Sequence, residues 1–164
     1  MRHRGLWLTL GAGAAMLGAC STAPAPRPAT PGLAGMVWNY HAGPGGEAHL
    51  NYGLPDSDQV GIMFNCRRPA KAAGFVTELD KGEPAGVVRF RSGRAQGRYA
   101  ARLEKSELTG GWQAQGEIPL ADPVLAGFER SGQISQVEDQ AYPQDARSAA
   151  ERENIKRFFG FCRG

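Results

Sequence analysis

Val60-Gly61-Ile62-Met63-Phe64-Asn65-Cys66 is the stretch whose reading decides the fold. Val60, Ile62, Phe64 and Cys66 recur at every second position, with Gly61, Met63 and Asn65 between them. Successive side chains of a strand point to opposite faces, so this alternation belongs to a strand with one buried side. The Phe64 side is the core candidate, and it places Cys66 indoors.

The same texture extends in both directions. Short runs at 36–40, 47–52, 60–66, 74–79, 87–91, 97–103 and 112–118 are separated by turn clusters such as Ala42-Gly43-Pro44-Gly45-Gly46, Pro55-Asp56-Ser57-Asp58, Lys81-Gly82-Glu83-Pro84 and Ser92-Gly93-Arg94. Strands at intervals of about 8–12 residues with Gly and Pro at the breaks predict a mainly β fold, an antiparallel β-sandwich or a partly open barrel. In the fourth run Phe75, Thr77 and Leu79 oppose Val76, Glu78 and Asp80, which predicts one wet side.

After Leu120 the pattern changes. Asp122 followed by Pro123 reads as an N-cap with proline at the first helical position, opening a short helix through Val124, Leu125 and Phe128 that Gly132 should end. A further strand is expected over 132–137. A last helix is expected from about 143 to 159, with Ile155, Phe158, Phe159 and Cys162 at the spacing of one face. That face should lie on the sheet near Cys66, giving one or two helices near the C-terminus.

The N-terminal segment has another character. Arg2 and Arg4 precede an apolar run of 12 residues, 6–17, too short for the roughly 20 that a membrane-spanning helix needs. The run ends in Leu17-Gly18-Ala19-Cys20, which resembles the lipobox of bacterial lipoproteins. The resemblance implies a signal peptide over 1–19, cleavage before Cys20 and acylation of Cys20, with membrane lipid as the first partner. Several acyl chains, at roughly 0.8 kcal/mol per buried methylene, would make the anchor effectively permanent. An ordinary secretory signal cut after Ala19 is the other reading. Ser21 stands where the family's inner-membrane retention signal is usually Asp, so the expected address is the cell envelope, leaning to the outer membrane and facing the periplasm. Residues 20–32 then form the lipidated cysteine and a tether in which Pro24, Pro26, Pro28 and Pro31 favour extended polyproline conformation. A single β-rich domain occupies 33–164, long enough for one real core.

The compartment implied by that resemblance bears on the three cysteines. With Cys20 lipidated, Cys66 and Cys162 remain as an even pair in an oxidising environment, which reads as one disulfide. The mature domain is also similar to small exported proteobacterial proteins without an assigned activity, through Tyr52-Gly53, Pro55, Ser57-Asp58, Cys66, Phe158-Phe159 and Cys162. That likeness carries no catalytic residue across.

Charge excludes little but points away from nucleic acid. The chain's 19 basic residues become 17 once Arg2 and Arg4 leave, against 16 acidic ones, and the aromatics do not interleave with the arginines as stacking platforms. Chemistry-bearing residues are thin. His41 and His49 have no further ligand at zinc spacing, and Asp56 and Asp58 alone offer too few oxygens for calcium, so a solvated turn is the expectation there. Glu47, Glu78, Glu104 and Glu117 include no pair that the sequence selects for glycosidase chemistry. No phosphate loop or nucleophile elbow is present, and neither a cofactor, a metal nor a catalytic residue is expected.

The most suggestive feature is basic. Arg89 and Arg91 share a face of one run, Arg98 and Arg102 share a face of the next, and Arg94 lies at the turn between them. Paired as a hairpin, they would line one side with guanidinium groups able to fork onto carboxylate or phosphate. An anionic glycan, a lipid headgroup or an acidic envelope protein are the partners such a patch would take. The bland alternative is the wet face of an edge hairpin, offset by Glu78, Asp80 and Glu104. The sequence thus predicts a lipid-anchored, non-catalytic interaction or assembly module, with anion binding second and cell-wall hydrolysis third. The assembly reading calls for an exposed apolar patch, around Met63 or Trp112.

Overall fold

A computed structural model describes residues 35–79, 86–107 and 110–164. The signal segment 1–19, Cys20 and the tether 20–32 lie outside the described residues, as do Asp80 and the turn cluster that follows it.

Nine antiparallel strands form one sheet: β1 (Val37–Ala42), β2 (Glu47–Gly53), β3 (Val60–Arg67), β4 (Ala72–Leu79), β5 (Val87–Ser92), β6 (Ala95–Lys105), β7 (Trp112–Pro119), β8 (Ser135–Val137) and β9 (Ala141–Pro143). Their spatial order is β1-β2-β3-β4-β7-β6-β5-β8-β9. The sheet curls into a half-barrel, so of the two expected architectures the partly open barrel is the one adopted. All seven runs marked off by the turn clusters are strands, each within two residues of its expected bounds.

Burial follows the period-two reading. Ile62, Phe64 and Cys66 of β3 are buried, as are Leu50 and Tyr52 of β2 and Phe75, Thr77 and Leu79 of β4. Val60 departs from it: at the strand's first position it lies beyond the paired core and is 37% exposed. The inner face holds a continuous chain of rings. Trp38 lies 5.2 Å from Tyr52 and 4.9 Å from Phe128 between ring centroids, and Phe64 links this group to Phe90 at 6.1 Å. Phe90 meets Phe75 edge-on at 5.3 Å, while Phe128 meets Phe159 of the C-terminal helix at 6.0 Å. Offset and edge-to-face contacts of this kind add to what burial alone contributes. Where Tyr99 leans along β6 to reach Asp122, a Cβ at Gly97 would overlap its hydroxyl, so glycine is required there.

Two helices cover the concave side. α1 (Pro123–Ser131) starts as expected, with the Asp122 carboxylate accepting from Val124 N at 2.8 Å, and ends at Gly132 in the left-handed region at φ 71°. α2 (Ala149–Arg163) buries Ile155, Phe158, Phe159 and Cys162, the face read from the sequence. Its start corrects the expectation: residues up to Pro143 form β9, and the helix begins six residues after it, at the Ser148 cap. The signal was present as Ser148-Ala149-Ala150-Glu151, a reciprocal capping box in which Ser148 Oγ accepts from Glu151 N and Glu151 accepts from Ser148 N, both at 3.1 Å.

α2 also closes the open side of the barrel. The second Glu151 oxygen accepts the backbone N–H of Trp38 at 3.1 Å, and Asn154 donates to the Trp38 carbonyl at 3.0 Å. Both groups on the free edge of β1 are thereby satisfied at Trp38, which blunts the edge against pairing with another chain. Cys66 and Cys162 are joined by a disulfide with Cα atoms 5.8 Å apart, fixing the end of α2 to β3. A second closure runs across the curl from β4 to β8. Thr77 donates to the Gln136 side chain, and Gln136 Nε2 donates to the Glu78 carbonyl at 2.9 Å. No described helix is long and apolar enough to cross a membrane.

Candidate functional site

The outer face of the sheet carries the polar side chains that alternate with the core. Cross-strand register sets its rows: His41 opposite His49 opposite Asn65, and Asn39 opposite Asn51 opposite Met63. His49 and Asn51 stand on the outer side, with Leu50 and Tyr52 buried behind them, as strict alternation requires.

At the far end of this face, β5 and β6 form the expected hairpin. Arg89 and Arg98 are direct cross-strand partners, and Arg91 pairs with Gln96. Like charges directly opposite are unfavourable unless one is diverted or something lies between them. Arg89 is diverted: its Nε donates to the Val137 carbonyl at 3.2 Å and its Nη2 to the Glu138 carbonyl at 3.1 Å. Its guanidinium is therefore held against β8 instead of swinging freely. Between it and the exposed Arg98 lies a cavity of about 320 Å³, with Gln96 and Val137 also on its wall and no carboxylate.

The other two arginines are not gathered there. Arg91 lines a separate cavity of about 290 Å³ with Ser135 and Asp145. Burial pushes the Asp145 carboxyl above its ordinary value, against the backbone hydrogen bond at Ile134 and the charge of Arg147, which both lower it. Arg102 lies further along β6, opposite Gln115, and is ion-paired with Glu104. The site that the structure assembles from the four arginines is therefore Arg89 with Arg98.

A third concavity lies at the opposite end of the outer face. It measures about 480 Å³ and is walled by Asn39, His41 and Asn51 of β1 and β2 and by Asp56, Asp58 and Val60 around the β2–β3 loop. The loop is tied by Ser57, whose Oγ donates to the Leu54 carbonyl at 3.3 Å and accepts from Gln59 N at 3.1 Å. Asp56 sits at φ 55°, a left-handed conformation that Asp tolerates better than most residues. Asn51 Oδ1 and His49 Nδ1 are sealed from solvent and have no hydrogen-bond partner. Sequence reading took His41, His49, Asn51, Asp56 and Asp58 one at a time. The signal for their grouping was Asn39, His41, His49 and Asn51 alternating on two strands joined by a short turn.

None of these three concavities assembles a catalytic constellation. His41, Asp56 and Asp58 share the one of about 480 Å³, yet no hydrogen bond joins the imidazole to a carboxylate. Among the described residues no three of His, Cys, Asp and Glu come together as metal ligands. Glu47 is engaged by Arg67 and Glu104 by Arg102, while Glu78 accepts from Gln113 at 3.4 Å.

No known family's model matches the chain, and no match emerges among curated proteins or solved structures.

Proposed function

We propose that this chain is a lipid-anchored protein of the bacterial envelope whose folded domain binds and does not catalyse, taking an anionic group on the β5–β6 hairpin. The observation that carries the reading is the Arg89–Arg98 cross-strand pair with an acid-free cavity between the two guanidinium groups. A phosphate or carboxylate seated there would accept from the exposed Arg98 with the β8-bound Arg89 beside it on the cavity wall. An anionic glycan or a lipid headgroup are the envelope partners with that chemistry. The assembly-accessory reading has less support, because Met63 and Trp112 are half-buried and Val60 is the one exposed large apolar side chain among the described residues.

Titration of the full chain with inorganic phosphate tests the site. Binding should weaken as salt rises, and Arg98→Glu should cost at least about tenfold in affinity while leaving the melting temperature in place. Salt-independent binding, or an Arg98→Glu variant that binds normally, overturns it. The address rests on Leu17-Gly18-Ala19-Cys20 and draws support from the Cys66–Cys162 bridge, which suits an oxidising compartment. Metabolic labelling with a fatty acid should mark the chain and fail to mark a Cys20→Ala variant. Equal labelling of the two removes the anchor.

A further inference from the structure

The concavity at the β1–β2 end of the outer face combines two kinds of wall. On one side stand the cross-strand amides Asn39 and Asn51, with His41 and the carboxylates of Asp56 and Asp58. On the other stands Val60, the single large apolar side chain exposed among the described residues, beside the half-buried Leu54. No lysine or arginine lines the cavity, and the two carboxylates of Asp56 and Asp58 disfavour an anion there.

A ligand that fits must supply donors to the carboxylates, exchange hydrogen bonds with the amide side chains along the wall, and present an apolar face to Val60. Hydroxyl groups donate and accept at once. A pyranose ring carries them around its edge and exposes C–H groups on its face. The volume of about 480 Å³ lies within the range of small-molecule sites, roughly 300–1,000 Å³. We infer that this cavity is a sugar-binding site, with Asn39, Asn51, Asp56 and Asp58 taking ring hydroxyls and Val60 taking the ring face. The site is separate from the arginine hairpin and does not rest on it. Four strand spacings of about 4.8 Å set β2 off from β6 along the sheet, so the two ends can engage different parts of one acidic glycan or act alone.

NMR titration of the full chain with maltose and with N,N′-diacetylchitobiose tests the assignment. At least one of them should shift the resonances of Asn39, Asn51 and Val60 with a dissociation constant on the order of 1 mM, as expected of a shallow site with few anchors. Asn51→Ala should weaken that binding about tenfold or more. Asp58→Asn, on an exposed loop where folding is not at stake, should weaken it as well, and Arg98→Glu should leave it unchanged. Failure of both sugars to shift these residues at about fifty times that concentration overturns the proposal. So does binding of putrescine or calcium ion at the same residues without any sugar response, which would make the acceptors a cation site. Loss of phosphate binding with sugar binding intact would count against the hairpin alone.

Discussion

The two faces of the curled sheet are built from alternate residues of the same strands, yet they hold opposite chemistry. The inner face carries Leu50, Tyr52, Ile62, Phe64, Phe75 and Phe90, each at most 1% exposed. The outer face carries Asn39, His49, Asn51, Met63 and Asn65, half-buried at neighbouring positions. One face therefore stores most of the stability. The other can change its side chains at small cost, and it is where the Arg89–Arg98 and the Asn39–Asn51 cavities lie. Even within the outer face the ends differ, with acceptors at β1–β2 and guanidinium groups at β5–β6.

The sharpest way to break this contrast is to truncate adjacent residues of β3. Phe64→Ala should destabilise by about 3–5 kcal/mol, because it removes a ring bridging Trp38, Phe90 and Phe128. Met63→Ala should cost less than about 1 kcal/mol, and urea denaturation of both would show whether the faces are energetically distinct. Equal costs would mean that the outer face is also core.

Next in size is the clasp between α2 and β1. Glu151→Ala should cost about 3 kcal/mol, since it strips the acceptor from the backbone N–H groups of Trp38, Arg147 and Ser148 together. Glu151→Gln should recover part of it. A loss confined to helix content, without change in the Trp38 environment, would separate capping from closure.

A smaller effect is expected at the underside of β6. Burial, reinforced by the hydrogen bond to Asp122 and its negative charge, pushes the Tyr99 phenol above its ordinary value of about 10. The native state therefore holds that proton more tightly than the unfolded chain. The stability it contributes is intact below about pH 10 and is lost as pH rises beyond that. Tyr99→Phe should cost about 1 kcal/mol at neutral pH and flatten the alkaline decline, followed by thermal unfolding across pH 7 to 11. Asp122 keeps its helix cap in that variant, so α1 should persist.

The least change is expected on the outer face itself. Arg98→Ala should alter stability by no more than about 0.5 kcal/mol while weakening phosphate binding, a split that a core residue could not produce.

Much of the architecture was legible because Gly- and Pro-rich turns at regular intervals marked seven runs, and in two of them one buried face declared itself by period two. The short helix was legible from Asp122, Pro123 and Gly132, whose local chemistry suffices to start and stop it. The strand ending at Pro143 was not: three residues give no measurable periodicity, and β9 exists because β8 offers it a partner. The Arg89–Arg98 pair was half legible. Alternation put both residues on one side, but only register set them opposite each other, and only β8 turned Arg89 aside. The sugar cavity was least legible, since Asn39 and Val60 lie 21 positions apart and neither is unusual where it stands.

By itself the sequence determined which residues seek the interior and where the chain turns, because hydrophobic periodicity and turn chemistry are local properties. Tertiary structure decided how far the sheet curls, that α2 seals its open side through Glu151 and Asn154, and which outer-face groups share a cavity. Those outcomes depend on distances between strands remote in the chain. Such distances are set by packing the whole core at once, and no window of the sequence contains them.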